Sequence, residues 1–127
     1  MIGYDFLSID DVLYIHKRQL EVFGGGDGLR DKGLLQSSIE MPQSGVGEQY
    51  FHDFPHGMAA AYLFHLVKNH PFVDGNKRTG FACAHAFLKL NGYELNMSEQ
   101  EAFDRVIGVA TGKLSKEQIV ERLKSKM

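Results

Sequence analysis

Residues 70 to 80, with the sequence HPFVDGNKRTG, concentrate side chains that can do chemistry in one short stretch. They include an imidazole at His70, a carboxylate at Asp74 and two cations at Lys77 and Arg78. A connection between two apolar segments is a poor place for so many polar groups unless something binds there. We therefore take this segment as the candidate functional site.

The second half of the segment has the features of an anion site. Gly75 lets the main chain approach a ligand closely, and a helix that begins near Asn76 would point its free N–H groups into the loop. Lys77 offers phosphate a point charge, whereas Arg78 offers a planar pair of donors. These features together predict a bound polyphosphate.

The first half of the segment adds a base and a metal ligand. Asp74 alone would repel phosphate, but a Mg²⁺ ion shared between this carboxylate and phosphate oxygens removes the conflict. An imidazole titrates near neutrality, so His70 suits a general base that acts on a hydroxyl. The set indicates phosphoryl or nucleotidyl transfer without a covalent enzyme intermediate. The residues alone leave open that His70 is an ordinary hydrogen-bonded structural histidine.

The pattern of apolar residues predicts the helices that would hold this segment. Residues 56 to 69 are apolar on nearly every side, which is typical of a central buried helix, and residues 81 to 90 form a second small-residue helix. Apolar residues at helical spacing predict four more, of which the first ends at the glycines 24 to 26. Residues 43 to 55 predict a loop or small hairpin, and only residues 93 to 97 alternate like a strand. The predicted caps are Ser8, Asp31, Ser98 and Ser115.

The fold class that follows is all-α: a compact bundle of about six helices with a small flap or hairpin before the central helix. A length of 127 residues suits a single domain, residues 1 to 127. Its one cysteine, Cys83, lies between two alanines and is predicted to be a buried helix residue rather than a catalytic thiol.

Composition excludes several classes of partner. With 14 Lys and Arg against 16 Asp and Glu, the net charge of −2 provides no field that would draw the chain onto nucleic acid or an anionic membrane. No apolar run approaches the roughly 20 residues needed to cross a bilayer, and the amino terminus lacks the pattern of a secretory signal. We therefore expect a cytoplasmic protein without direct contacts to nucleic acid or membrane.

The stretch from His70 to Thr79 resembles the signature of the Fic/Doc superfamily, H-P-F-x-[DN]-G-N-x-R, in the form of its death-on-curing (Doc) branch. Residues 66 to 69 and 87 to 93 also resemble the family's core, as do residues 29 to 35 near the amino terminus. The resemblance covers most of the chain. It implies a small all-α domain that uses ATP and Mg²⁺ to modify a Ser or Thr hydroxyl of a target protein.

Carried over by position, the resemblance assigns a role to each residue of the motif. His70 would be the general base and Asp74 the Mg²⁺ ligand, with Phe72 as the apolar anchor of the loop. Binding of the nucleotide and its phosphates would fall to Lys68, Gly75, Asn76, Lys77 and Arg78.

The loop from Ser44 to Phe54 occupies the place of the family's flap, so Gly45, Val46 and Gly47 would position the target segment by backbone pairing. Many Fic proteins also carry an inhibitory helix with the pattern [ST]-x-x-x-E-[GN]. Only residues 44 to 48 approximate this pattern, and their two glycines disfavour a helix. We therefore expect inhibition to come from a separate small antitoxin chain.

Two positions distinguish the reactions of the superfamily. Lys77 stands where adenylylating Fic enzymes have Gly, and Phe81 stands where they have a second Arg. Doc-like members share the first feature and resemble kinases that phosphorylate elongation factor Tu. The resemblance therefore favours phosphotransfer. Because Ala82 stands where Doc has a polar Asn, AMP transfer stays open as the alternative.

Three other hypotheses fit the residues less well. The glycine spacing of residues 75 to 80 is that of a P-loop, but Phe81 and Ala82 replace the required Lys and Ser or Thr. His52 and His56 lack a second pair of ligands that would complete a zinc site. An inactive module that only holds a partner would need neither a base nor a metal ligand.

Overall fold

A computed structural model describes residues 3–94, 96–110 and 112–125. In this part of the chain, six α-helices surround one core, and a single small hairpin lies between the second and third helices. The expectation of an all-α bundle with about six helices is confirmed. The helices are α1 (Ile9–Phe23), α2 (Lys32–Glu40), α3 (His56–Asn69), α4 (Asn76–Leu90), α5 (Glu99–Ala110) and α6 (Lys116–Lys124).

Side chains cap the helices where the sequence predicts. The Ser8 hydroxyl accepts the Asp11 N–H at 3.1 Å while the Asp11 carboxylate accepts the Ser8 N–H at 2.8 Å, which closes a capping box at the start of α1. Ser115 and Gln118 form the same reciprocal pair at α6, and Asp31 caps α2. These caps fix where the helices begin and therefore how much chain is left for the loops.

The central helix α3 packs against α2, α4, α5 and α6. Nine of its 14 residues are buried, which is why its sequence is apolar on nearly every side. α4 approaches it closely at Gly80, where an added Cβ would stand 2.9 Å from the Val67 side chain and 3.2 Å from the Leu63 carbonyl oxygen. The two helices are thus held at a fixed spacing, and the loop that joins them, residues 70 to 75, has fixed ends.

A cluster of aromatic rings joins the amino-terminal segment to these central helices. The Phe87 side chain of α4 is fully buried, and its ring centroid lies 5.3 Å from that of Tyr62, 5.8 Å from that of Phe6 and 6.2 Å from that of Phe54. The Tyr62 hydroxyl in turn accepts the Leu7 N–H at 2.9 Å. The cluster therefore ties the amino-terminal segment and α4 to α3 and to the residues just before α3.

The hairpin consists of β1 (Gly45–Val46) and β2 (Gln49–Tyr50), which pair antiparallel and follow a 3₁₀ turn at Met41–Gln43. It lies within the segment predicted to be a loop or hairpin, and the residues that approximate the inhibitory pattern form no helix.

The prediction of a strand over residues 93 to 97 is wrong. At positions 93, 94, 96 and 97 the backbone is irregular, and Leu95 lies outside the described residues. In the described chain the two hairpin strands pair only with each other, so this segment has no ladder to join. Instead, the Tyr93 N–H donates to the Leu88 carbonyl at 2.8 Å and the Tyr93 ring packs edge-on against Phe54.

Cys83 lies inside α4 and is buried, as predicted. Burial raises the pKa of its thiol, so the sulfur is protonated and a poor nucleophile near neutral pH.

Across the helices of the described residues, none is both long and apolar enough to span a membrane.

Three titratable side chains meet where α3, α6 and the segment after β2 come together. The Lys116 ammonium lies 2.9 Å from His52 Nε2 and 3.0 Å from His65 Nε2. An ammonium only donates hydrogen bonds, so both imidazole nitrogens accept and both rings are neutral. Burial and the Lys116 charge lower the pKa of His52, and the same causes lower the pKa of His65 to about 4. Both histidines therefore have a structural role.

We expect the free energy of unfolding to fall as the pH drops from about 6.5 towards 4. The unfolded chain protonates His65 near the ordinary pKa of 6.5, whereas the folded chain resists protonation until about pH 4, so acid favours the unfolded state in this window. Chemical denaturation at several pH values measures the slope. His65→Gln should flatten the slope relative to the wild type. Equal slopes in wild type and His65→Gln would contradict the prediction.

Candidate active site

The loop between α3 and α4 pairs with residues 28–31, which precede α2. Main-chain N–H groups of Arg30 and Asp31 both donate to the Pro71 carbonyl, at 2.7 and 3.0 Å. Leu29 and Phe72 form an isolated antiparallel β-bridge, and on its other side the Val73 N–H donates to the Gly28 carbonyl at 3.0 Å. The loop is therefore held by main-chain hydrogen bonds to a segment about 40 residues earlier in the chain.

Phe72 is the buried point of the loop. Its side chain is 2% exposed, and its ring stacks on that of His16 with the centroids 3.7 Å apart. The Asn76 amide grips the Phe72 main chain: its oxygen accepts the N–H at 2.9 Å and its nitrogen donates to the carbonyl at 2.9 Å. The same amide nitrogen lies 3.3 Å from His70 Nδ1. Both amide hydrogens thus point into the loop, so the expected contact of Asn76 to phosphate falls to its main-chain N–H.

His70 ends α3 in the left-handed region, with φ 47° and ψ 56°. It is the one non-glycine residue with positive φ among those described, and this conformation costs an L-residue roughly 1–2 kcal/mol. The sharp turn leaves the imidazole exposed at the end of the helix. The contact of 3.3 Å from the Asn76 amide nitrogen to Nδ1 is longer than a typical hydrogen bond, so it restrains the ring only loosely.

The Asp74 carboxylate is exposed but held in place. Its Oδ1 accepts the Gly75 N–H at 2.8 Å and its Oδ2 accepts the Gly26 N–H at 3.2 Å. The Asp74 carbonyl accepts a hydrogen bond from His16 Nε2 at 2.8 Å, which fixes the tautomer of that ring. Each carboxylate oxygen retains a lone pair for a further partner.

Two of the three glycines that follow α1, Gly25 and Gly26, form the surface on which this carboxylate rests. At Gly25, with φ 126°, an added Cβ would stand 2.9 Å from Asp74 Oδ2 and 3.0 Å from Leu20 Cδ2. At Gly24, with φ 79°, nothing lies within 4 Å of the same position. The sequence indicates only a helix end here, whereas the structure shows that a side chain at position 25 would displace Asp74.

We expect Gly25→Ala to lower the free energy of unfolding by about 1–3 kcal/mol more than Gly24→Ala. Both substitutions place alanine at positive φ, but only the one at 25 forces a methyl group against the carboxylate and Leu20. Chemical denaturation of the two variants without added metal measures the difference. An equal fall in the free energy of unfolding for the two variants would contradict the prediction, because it would mean that Asp74 and Leu20 move aside without an energetic penalty.

α4 begins at Asn76, five residues before the predicted start at residue 81 and at the position that the anion-site hypothesis requires, with Gly75 as its left-handed N-cap at φ 78°. No side chain of the described residues caps this end, so its N–H groups and positive dipole end are directed at the loop. Lys77 and Arg78 are exposed on the first turn. The Arg78 guanidinium lies 3.7 Å from the centre of the Phe23 ring, a cation–π contact that holds it beside the loop.

These residues share one open cleft of about 460 Å³. Gly24 and Gly25, which follow α1, also line the cleft. A second, mainly apolar groove of about 380 Å³ adjoins it between α1, α4 and α5, and the two cavities share Phe23, Lys77 and Arg78. The residues of the motif that line the cleft are His70, Asp74, Gly75, Asn76, Lys77 and Arg78.

Two groups of predicted site residues lie outside this cleft. The Lys68 ammonium is 6.0 Å from the Phe64 ring centroid on the last turn of α3 and does not line the cavity. Gly45, Val46 and Gly47 form one strand and the turn of the hairpin, where Val46 is 71% exposed. Their expected roles in nucleotide and target binding therefore rest on the resemblance alone.

Three supporting residues were not predicted. His16 lies with Val12 on the buried face of α1, and its polar side chain on this apolar face was the only feature of the sequence that could have indicated a supporting role. Gly26 had none beyond its place in a glycine run. Arg30 lies in the stretch 29 to 35 that resembles the family's core, but no local pattern indicates its role, because the carbonyls that its side chain binds are 39 and 40 residues away.

Comparison with known proteins agrees with the geometry. The model of the Fic/DOC family matches residues 6–88, a range that includes the loop and its partner segment. The chain belongs to the Fic/DOC family.

Two relatives are Doc proteins, which puts this member on the Doc-like branch that its motif predicted. The "Protein kinase doc" of Escherichia phage P1 is 29% identical over 118 residues, covering 93% of this chain and 92% of the relative. The "Toxin Doc" of Mycolicibacterium smegmatis is 40% identical over 91 residues, covering 72% of this chain and 68% of the relative. The "Protein adenylyltransferase Fic" of Culex quinquefasciatus is 33% identical over 106 residues, covering 70% of this chain but 21% of that longer protein.

Proposed function

We propose that this protein is a Doc-like toxin that transfers phosphate from ATP to a Ser or Thr hydroxyl of a target protein, with elongation factor Tu as the expected target. The observation that carries the proposal is the single cleft lined by His70, Asp74 and the amino end of α4. The relatives named as a kinase and a toxin support it. The expected setting is the cytoplasm, with a small antitoxin chain as partner.

In this proposal the chain's own residues divide the work between binding and proton transfer. The phosphates lie against the amino end of α4, where Lys77 and Arg78 offset their charge. His70 takes the proton from the target hydroxyl as its oxygen attacks the γ-phosphorus. A bond forms between that oxygen and the γ-phosphorus while the bond to the bridging oxygen breaks, so ADP leaves and the proton passes from His70 to solvent.

Asp74 suits a Mg²⁺ ion that arrives with the nucleotide. Magnesium bound with nucleotides commonly takes one or two carboxylates and completes its shell with phosphate oxygens and water. The Asp74 carboxylate is exposed on the cleft and has lone pairs left after binding the Gly26 and Gly75 N–H groups. When bound, the ion would offset the charge of the phosphates.

The apolar groove beside the cleft suits the antitoxin. Phe81, Ala86 and Val106 contribute to an apolar floor, and cations lie along its length, including Lys77 and Lys89. An amphipathic helix with one apolar and one acidic face would complement both features. Because Lys77 and Arg78 belong to the groove and to the cleft, such a segment would also cover the cations needed for phosphate.

AMP transfer is the second candidate, and the relative named as an adenylyltransferase favours it. In that reaction the hydroxyl would attack the α-phosphorus and pyrophosphate would leave. Lys77 and Phe81, which replace residues typical of adenylylating members, still favour phosphotransfer.

Labelled ATP distinguishes these functions. The protein is incubated with Mg²⁺ and either a cell extract or purified elongation factor Tu, with the label on the γ- or the α-phosphate, and the modified protein is weighed intact. We expect γ-label and a mass gain of about 80 Da, whereas AMP transfer would add α-label and about 329 Da. Absence of both, with partner binding that His70→Ala leaves unchanged, would overturn the proposal in favour of a binding module.

A further inference from the structure

Arg30 binds the end of α3, yet it has no part in the chemistry described above. Its guanidinium donates from Nε to the His70 carbonyl and from Nη2 to the Asn69 carbonyl, the latter at 2.7 Å. Its main-chain N–H donates to the Pro71 carbonyl at 2.7 Å. One residue therefore binds three consecutive carbonyl groups around the expected base.

These carbonyls need a partner from outside the helix. The last carbonyl groups of an α-helix find no N–H donor within the helix, and they carry the negative end of its dipole. A cation at this end is therefore favourable. His70 is also held in the left-handed region, which an L-residue keeps only where its surroundings fix it. A planar guanidinium meets two adjacent carbonyls at once, which a lysine ammonium cannot do in the same geometry.

We infer that Arg30 is a positioning residue for the base: it holds the main chain of His70 in its left-handed conformation and so keeps the imidazole at the cleft. Asn76 restrains the same ring at Nδ1. The ring is thus held through its main chain on one side and through its side chain on the other. The consequence for catalysis rests on the proposed function, whereas the effect on the ring does not.

Steady-state kinetics test the catalytic consequence. We expect Arg30→Gln to lower kcat for transfer about ten- to a hundredfold, because a small misplacement of a catalytic group has an effect of that size. The KM for ATP should stay within about twofold, since Arg30 does not line the cleft. Arg30→Lys should recover part of kcat. The matched control is Arg18→Gln, which removes an exposed arginine of α1 that pairs with Glu21 at 2.9 Å and should leave kcat unchanged.

Nuclear magnetic resonance of the histidine rings tests the positioning itself, without nucleotide or target. We expect the His70 ring signals, assigned with His70→Gln, to shift or broaden in Arg30→Gln, while those of the exposed His85 stay in place. Unchanged His70 signals in a folded Arg30→Gln or Arg30→Lys variant would overturn the inference, even if stability falls. Changed signals in a protein that transfers neither phosphate nor AMP would support the inference and overturn the proposed function instead.

Discussion

His70→Ala is expected to lower kcat for phosphate transfer by about 10²- to 10⁴-fold while ATP binds with a Kd close to that of the wild type. The size of the effect is that of removing a general base, about 3 to 5 kcal/mol of transition-state stabilisation. ATP binding should survive because the cations and the amino end of α4 remain.

Single-turnover transfer and ATP titration measure the two quantities separately. The matched control is His56→Ala, which removes a histidine from the opposite end of the same helix and should leave both unchanged. A kcat within about threefold of wild type would exclude His70 as the base. Loss of ATP binding with the chemistry intact would instead make His70 a nucleotide ligand.

Phe87→Ala is expected to lower the free energy of unfolding by about 3–5 kcal/mol. Its ring is fully buried among Tyr62, Phe6 and Phe54, so the substitution leaves a cavity where four segments of the chain meet. A loss of this size is a large part of the 5–15 kcal/mol that typical domains possess. Because Phe54 precedes α3, the region after the hairpin should loosen as well.

Urea denaturation followed by far-ultraviolet circular dichroism measures this loss. Phe51→Ala is the matched control, since Phe51 lies in the same region but is 65% exposed, and its loss should be within about 0.5 kcal/mol. Similar losses in the two variants would mean that Phe87 is not the centre of the cluster.

The helices could be predicted because their signals are local. Ser8 and Asp11 sit three residues apart and cap each other, and the apolar residues of α3 recur within one helix. The same locality explains the error at residues 93 to 97, because alternation favours a strand only where a second strand is available to pair with it. No local pattern reports the absence of a partner.

The site could be predicted only in part, for the same reason. His70, Asp74 and the start of α4 lie within seven residues of one another, so their order carries the chemistry. The parts that hold them come from afar: His16 binds the Asp74 carbonyl across 58 residues, and Arg30 binds the His70 carbonyl across 40. These contacts depend on how the helices pack against one another, and helix packing cannot be predicted from the spacing of residues along the chain.

The pairing of residues 28–31 with the loop also restricts which changes in chain length the protein can accept. One extra residue between α1 and α2 would move Gly26 off the Asp74 carboxylate and shift Arg30 relative to the end of α3. At Gly47, in the turn of the hairpin, an added Cβ would instead meet nothing within 4 Å. We therefore expect the fold to accommodate an insertion at the hairpin turn and to lose stability when a residue is inserted between α1 and α2.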